Sequence, residues 1–269
     1  MSISASQVKA LREKTGAGMM DCKKVLVEAG GDEEKAITLL RERGMAKAEK
    51  KAGRATSEGT IGVNIAPGSG VMVELKCETD FAAKNEEFTA FATELAAKVA
   101  AGGYATTEEI PAEMTDLTDL VTKIGENMGV GRVAKLAVDG IVGSYVHSNG
   151  KIGVLVALAG ATDADAALAK DIAMQVAATN PLCASSDQVP EDVKAKEMAI
   201  YKTQALDEGK PEEIAEKIII GRINKFYKDV CLLEQPFIKD DKKAVKDLLK
   251  GTKITLSGFV RLALGEDAQ

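Results

Sequence analysis

Tryptophan is absent from the 269 residues, aromatics make up only 4%, and there is one histidine. With so few rings, any core must be built from Ala, Val, Ile, Leu and Met. His147 alone allows no zinc motif of the usual spacing. As the base of a catalytic triad it would sit between Val146 and Ser148, at an expected turn, with no carboxylate beside it in sequence. The four cysteines (Cys22, Cys77, Cys183, Cys231) are widely spaced and form no CxxC pair, which predicts reduced, partly buried thiols rather than a disulfide framework. No stretch approaches the roughly 18 apolar residues of a membrane span. The opening MSISASQVKALREKTG turns polar at once and has no apolar h-region, so no secretory signal is read and a cytoplasmic location is expected.

The nearest string to a phosphate loop, Gly16-Ala-Gly-Met-Met-Asp-Cys-Lys-Lys24, lacks the second glycine of GxxxxGK[ST] and follows a helix rather than a strand. Glu86-Glu87 opens a helix, where two acids complement the dipole. No constellation supports acid–base or nucleophilic work, so the expectation is no enzyme, no catalytic residue, no metal and no cofactor. What remains is a protein that binds another protein.

The composition that is present, 45% hydrophobic and 28% charged, is globular, and the length accommodates one large domain or two to three small ones. Net charge is −6, unevenly distributed. Residues 1–54 carry 12 Lys and Arg against 8 Asp and Glu, and the remainder carries 23 against 33. A basic head on an acidic body implies two kinds of module.

The head reads as three helices: one capped by Ser4 or Ser6 and ending at Thr15-Gly16, one from about Met20 to Ala29, and one capped by Asp32 and ending before Gly44. Residues 45–59 read as a helical or flexible linker, or, on their basic residues, as a nucleic-acid arm without an aromatic for stacking.

Beyond the linker the chain repeats itself. Glu58-Gly-Thr-Ile-Gly62 recurs as Asp139-Gly-Ile-Val-Gly143, and Val71, Val73 and Leu75 recur as Ile152, Val154 and Val156. Each copy is a β-hairpin with a turn at Pro67-Gly68 or Ser148-Asn149-Gly150, followed by a helix carrying Ala96-x-x-Val99 or Ala173-x-x-Val176. Third strands are expected at Arg132–Val138, after a helix through Leu120–Glu126, and at Ile254–Leu264, after a helix near Val245–Leu249. Between Pro190 and about Tyr227 a segment rich in Lys, Glu and Ala breaks at Glu208-Gly-Lys-Pro211. It predicts an antiparallel helical hairpin with sparse apolar positions (Val193, Ile200, Ile214, Ile218), either an arm for a partner or a plain insertion. The fold class is therefore α+β: a three-helix bundle, then two related α+β subdomains with antiparallel sheets and an inserted coiled coil. Expected boundaries are 1–54, 55–139 and 140–269, with the insertion at about 190–227.

One segment carries a sharper signal. Cys77-Glu-Thr-Asp-Phe-Ala-Ala-Lys-Asn-Glu-Glu-Phe88 leaves a strand and enters a helix that Asn85 can cap, which puts Asp80 and Phe81 near the tip of a short connection. Two readings stand. Phe81 folds into the core while Asp80 caps a turn, or the ring and its adjacent carboxylate form a wedge presented to a partner.

Several strings together resemble the bacterial elongation factor Ts family over nearly the whole chain: Leu11-Arg-Glu-Lys-Thr-Gly-Ala-Gly-Met-Met-Asp-Cys-Lys-Lys24, Glu78-Thr-Asp-Phe-Ala-Ala-Lys-Asn85, Lys123-Ile-Gly-Glu-Asn127, Gly143-Ser-Tyr-Val-His147, Lys151-Ile-Gly-Val-Leu-Val156, and Gly209-Lys-Pro with Ile214-Ala-Glu-Lys217. The resemblance implies a UBA-like (ubiquitin-associated-like) head, a core of two related subdomains, and a coiled coil. It implies a guanine-nucleotide exchange factor whose partner is the GTPase elongation factor Tu, from which Mg2+ and GDP are displaced so that GTP can enter. Direct nucleotide binding, nucleic acid and membrane are not implied. By the same resemblance Asp80 and Phe81, with Thr79 and Ala82 shaping the loop, enter between helices of the partner. Arg12, Met19 and Met20 touch its nucleotide-binding domain, and Ile124, Gly125 and His147 lie against it. The chain departs from the family pattern at Ala82, where many members carry valine, and at Gln269, where many continue into a further helix. A different class of function, a nucleic-acid or ribosome-associated module using the basic head, predicts binding that falls steeply with salt. A chaperone-like arm would need an exposed apolar groove.

Overall fold

The computed structural model describes residues 3–207 and 212–266, the side chains of 212–215 excepted. Three helices, α1 (Ala5–Thr15), α2 (Met19–Glu28) and α3 (Glu33–Lys51), form the head around Val8, Leu11, Cys22, Val25, Leu26, Ala36 and Leu40. The Ser4 hydroxyl accepts from Gln7 N while the Gln7 side chain accepts from Ser4 N, so two orphan donors of the first turn are satisfied reciprocally. The Asp32 carboxylate caps α3 by accepting from Lys35 N.

The expected stop before Gly44 is wrong. α3 continues through that glycine to Lys51, so the first seven residues of the anticipated linker, 45–51, are helix. Gly44 is a packing position: a Cβ there would lie 2.6 Å from Thr122 Oγ1 on α6 (Thr118–Ile124). Ala48, one turn on, packs into the first subdomain's core.

The body is two three-stranded antiparallel sheets, ordered β1-β2-β3 (Glu58–Ala66, Ser69–Cys77, Met128–Ala137) and β4-β5-β8 (Gly140–Val146, Ile152–Ala159, Thr255–Ala263). α5 (Glu86–Gly102) covers the outer face of the first and α7 (Ala166–Thr179) that of the second, and the inner faces pack on each other. The strand period of two explains the layering. In β2, Val71, Val73 and Leu75 face α5 while Met72 faces the second sheet. In β5, Val154, Val156 and Leu158 face α7 while Leu155 and Ala157 face the first sheet. Both central strands are buried on two sides, which is why apolar residues occupy successive positions at Val71-Met-Val73 and Val154-Leu-Val156.

The repeat seen in the sequence has a steric basis. A Cβ on Gly62 would lie 2.0 Å from the Ala92 carbonyl oxygen of α5, and one on Gly143 would lie 2.5 Å from Ala169 Cβ of α7. Each helix therefore sits directly on a glycine of the first strand of its hairpin.

α8 (Glu191–Asp207) and α9 (Glu212–Val230) are the two helices of the inserted arm, joined across their faces by a hydrogen bond of 2.7 Å from Arg222 to Gln204. The predicted break at Glu208–Pro211 and the side chain of Ile214 lie outside the described residues. Two features were not anticipated. A short ladder, β6 (Pro236–Phe237) with β7 (Asp240–Ala244), leads into α10 (Val245–Leu249). Cys183 and Cys231, far apart in sequence, meet across an isolated parallel bridge at the root of the arm.

Candidate functional site

The segment after β2 makes one turn of helix, α4 (Asp80–Ala83), before Asn85 caps α5 by accepting from Glu87 N at 2.9 Å. That single turn divides four residues between two environments. Ala82 and Ala83 are buried beside Leu75, Phe88 and Leu120, while Phe81 is 82% exposed, the most exposed large hydrophobic side chain among the described residues. Of the two readings, the ring directed to solvent is the one found. Asp80 does not cap a turn. Thr79 does, its hydroxyl accepting from Ala82 N at 3.3 Å. The Asp80 carboxylate meets Lys84 Nζ at 2.7 Å. That hydrogen bond holds Asp80 below the ordinary carboxylate range and raises Lys84, so both stay charged at neutral pH.

A local turn of four residues has no stability of its own, and this one is held from outside by Glu126. One of its carboxylate oxygens accepts from Glu78 N at 3.1 Å and from Thr79 N at 2.9 Å, and the other from the Thr79 hydroxyl at 2.5 Å. Glu78 answers by accepting from Asn127 N at 2.6 Å, which holds its carboxyl below the ordinary range, and pairs with Arg54 at 3.3 Å. Asn127 in turn donates to the carbonyl of Arg54 at 2.7 Å. The tip that carries Phe81 is thus tied at its base to the segment after α6 and to the end of the head helix.

These ties gather several of the sequence-predicted residues. Ile124, half-buried against the core, and Gly125, the left-handed cap of α6 at φ 91°, directly precede the Glu126 clamp. The carbonyl of Gly125 accepts from Lys51 Nζ on α3. His147 is exposed at the start of the β4–β5 turn, with Tyr145 Oη 3.1 Å from its Nδ1. That turn docks on β1: Ile61 N donates to Gly150 O at 2.9 Å, and Lys151 pairs with Glu58 at 2.6 Å. Glu58 is paired across the first sheet with Cys77, where the tip segment begins, so the turn and the tip share one end of the molecule.

The head residues come near by another route. Lys123 pairs with Glu87 at 3.2 Å and its side chain lies over Gly16, which ends α1. Arg12 is exposed on α1, and Met19 and Met20 are 46% and 62% exposed at the start of α2. Thr79 is half-buried and Ala82 is 3% exposed, so these two support the tip from behind. Glu126, Glu78 and Lys84 were not singled out as site residues by sequence reasoning. Glu126 lies 47 residues from Thr79, and only its place in the Lys123–Asn127 string marked it.

Among the described residues no group of three or more His, Cys, Asp or Glu could hold a metal ion, and no helix is long and apolar enough to cross a membrane.

A family model described as Elongation factor TS matches residues 78–266. The chain is similar to elongation factor Ts of Nitratidesulfovibrio vulgaris, 50% identical over 284 residues that cover 100% of this chain and 98% of that protein. It is likewise 50% identical over 284 residues to elongation factor Ts of Clostridium botulinum, covering 98% of this chain and 93% of the relative. To the protein of that name from Lawsonia intracellularis it is 45% identical over 294 residues, covering 99% and 100%.

Proposed function

The chain belongs to the elongation factor Ts family, and from that premise we propose that it is a guanine-nucleotide exchange factor that binds elongation factor Tu in the cytoplasm and releases its GDP. The observation that carries this reading is the side chain of Phe81, 82% exposed on a turn that Glu126 ties down with three hydrogen bonds.

A GTPase grips its nucleotide through backbone amides, a lysine and a magnesium ion bridging phosphates. An exchange factor therefore has no need of a phosphate loop. It must bind more tightly to a partner conformation in which that grip is loosened, and linkage then requires that it weaken nucleotide binding by the same factor. Burying a phenyl ring fully contributes roughly 1.5–3 kcal/mol. Realised only in the loosened state, that amounts to about one to two factors of ten in nucleotide release. In this role Phe81 inserts between helices of the partner, and the charged Asp80 disturbs water or side chains near the ion without becoming a lasting ligand. Ile124, Gly125 and His147 widen the contact at the same end of the core. Arg12, Met19 and Met20 extend it from the head, so that residues 1–54, 55–139 and 140–269 act as head, wedge-bearing subdomain and supporting subdomain with its arm.

The nucleic-acid reading draws less support. Arg43 of the head and Lys47 and Arg54 of the basic stretch pair within the chain, with Glu28, Asp21 and Glu78, and Lys51 donates to Gly125 O.

The test is release of labelled GDP from elongation factor Tu with and without this protein. Stimulated release that drops at least about tenfold in Phe81→Ala, the loss of roughly 1.4 kcal/mol, supports the reading. Stimulation that is absent in the wild type, or unchanged in the variant, defeats it.

A further inference from the structure

Cys183 and Cys231 are 48 residues apart in sequence and their sulfurs are 3.7 Å apart. They face each other across a parallel bridge that is pinned on both sides. Leu182 N donates to Val230 O at 2.8 Å, and Leu232 N to Cys183 O at 2.9 Å. Residues paired across a bridge have backbones about 4.8 Å apart, inside the Cα separation of roughly 4.4–6.8 Å that a disulfide needs. Side-chain rotation alone can bring the sulfurs to bonding distance. Cys183 precedes α8 and Cys231 follows α9, so the pair sits where both legs of the arm leave the second subdomain. Cys231 is fully buried and Cys183 only partly, which leaves one thiol open to a reagent and the other behind it. The remaining cysteines, Cys22 and Cys77, lie in two other cores.

We propose that Cys183 and Cys231 are a redox-active dithiol which a low-molecular-weight disulfide converts into an internal disulfide, stapling the root of the arm. The Cys183 thiolate attacks one sulfur of the reagent, whose S–S bond breaks and whose other half leaves as a thiolate that takes up the Cys183 proton. The Cys231 thiolate then attacks the Cys183 sulfur of the mixed disulfide and expels the second half, which takes up the Cys231 proton. Two protein thiols lose two electrons, and one reagent disulfide becomes two thiols.

The surroundings set the pace. Burial pushes Cys231 up to about 12 and raises Cys183 as well, and the acids beside the pair, Asp187 and Glu234, act in the same direction, Glu234 while paired with Lys246 at 2.5 Å. Thiolate is therefore scarce at neutral pH, and its fraction rises about tenfold per pH unit below the pKa. The staple forms slowly near pH 7 and faster as pH rises.

The experiment treats the full chain with oxidised glutathione at pH 7, 8 and 9, quenches with acid, and maps the thiols by mass spectrometry without reduction. The expected result is a monomer lighter by two hydrogens with Cys183 joined to Cys231, Cys22 and Cys77 still free, and a rate rising about tenfold per pH unit. Cys231→Ala should halt at a glutathione adduct on Cys183. The wild-type map decides the matter even if that variant does not fold. Adducts without the internal link, disulfides between chains, or no change at Cys183 would each overturn the proposal. The readout is a covalent bond and does not depend on whether the protein exchanges nucleotide.

Discussion

At the scale of single residues, the tip after β2 sets one apolar ring in water and invests a carboxylate in keeping it there. Glu126 accepts three hydrogen bonds from Glu78 and Thr79, and Thr79 passes the order on to Ala82 N. Glu126→Ala leaves those donors without their acceptor in a partly buried setting, a loss of about 1–3 kcal/mol. The expected outcome is a lower midpoint in urea together with slower stimulated GDP release, because a wandering Phe81 must be ordered at the moment of binding. Unaltered stability and unaltered release would show that the clamp is incidental. The sequence carried the tip's location, since a strand, a capping asparagine and a helix bracket it. It did not carry the direction of Phe81. Four residues are too few for a periodicity, and the decisive fact is that Ala82 and Ala83 take the inward positions.

At the scale of elements, the two halves are built on the same contact, a helix seated on a strand glycine. Gly62→Ala must push α5 away from β1, because the new Cβ would lie 2.0 Å from the Ala92 carbonyl oxygen of that helix. Overpacking of this kind costs about 1–3 kcal/mol, measurable as a lowered midpoint of thermal unfolding. A melt identical to wild type would mean the helix shifts freely. This architecture was legible because turn residues and period-two strands recur at matching offsets. α3 was misjudged for a related reason: glycine is a frequent helix stop, but Gly44 faces α6, and the packing of Ala48 beyond it carries the helix on. The ladder of β6 and β7 escaped notice because Asp240-Asp-Lys-Lys-Ala244 offers no apolar face to read.

At the scale of the whole molecule, the two subdomains are joined by their inner sheet faces, by the Lys151–Glu58 pair and by a half-buried arginine that is anchored in the first and reaches the second. Glu74 is fully buried where β2 and β3 slip register, and it takes a forked contact from Arg132 at 2.5 and 3.0 Å. Arg132 reaches on to Ala263 O of β8 at 2.6 Å, crossing from one subdomain to the other. Glu74→Ala removes a fully buried carboxylate together with the hydrogen bonds it accepts from Arg132, a loss of about 1.5–3 kcal/mol, and equilibrium unfolding should show it. A change under about 1 kcal/mol, the range of exposed pairs, would mean that water takes over the role of Glu74. Under the proposed exchange function, this frame holds the tip and the His147 turn at one end of the core for a partner. The most direct test of that account is the maximal rate of GDP release from elongation factor Tu at saturating Phe81→Ala, with the variant's melting curve taken from the same preparation. A ring that acts on the loosened state predicts a maximal rate reduced at least about tenfold with an unchanged melt. A full maximal rate reached merely at higher concentration would contradict it.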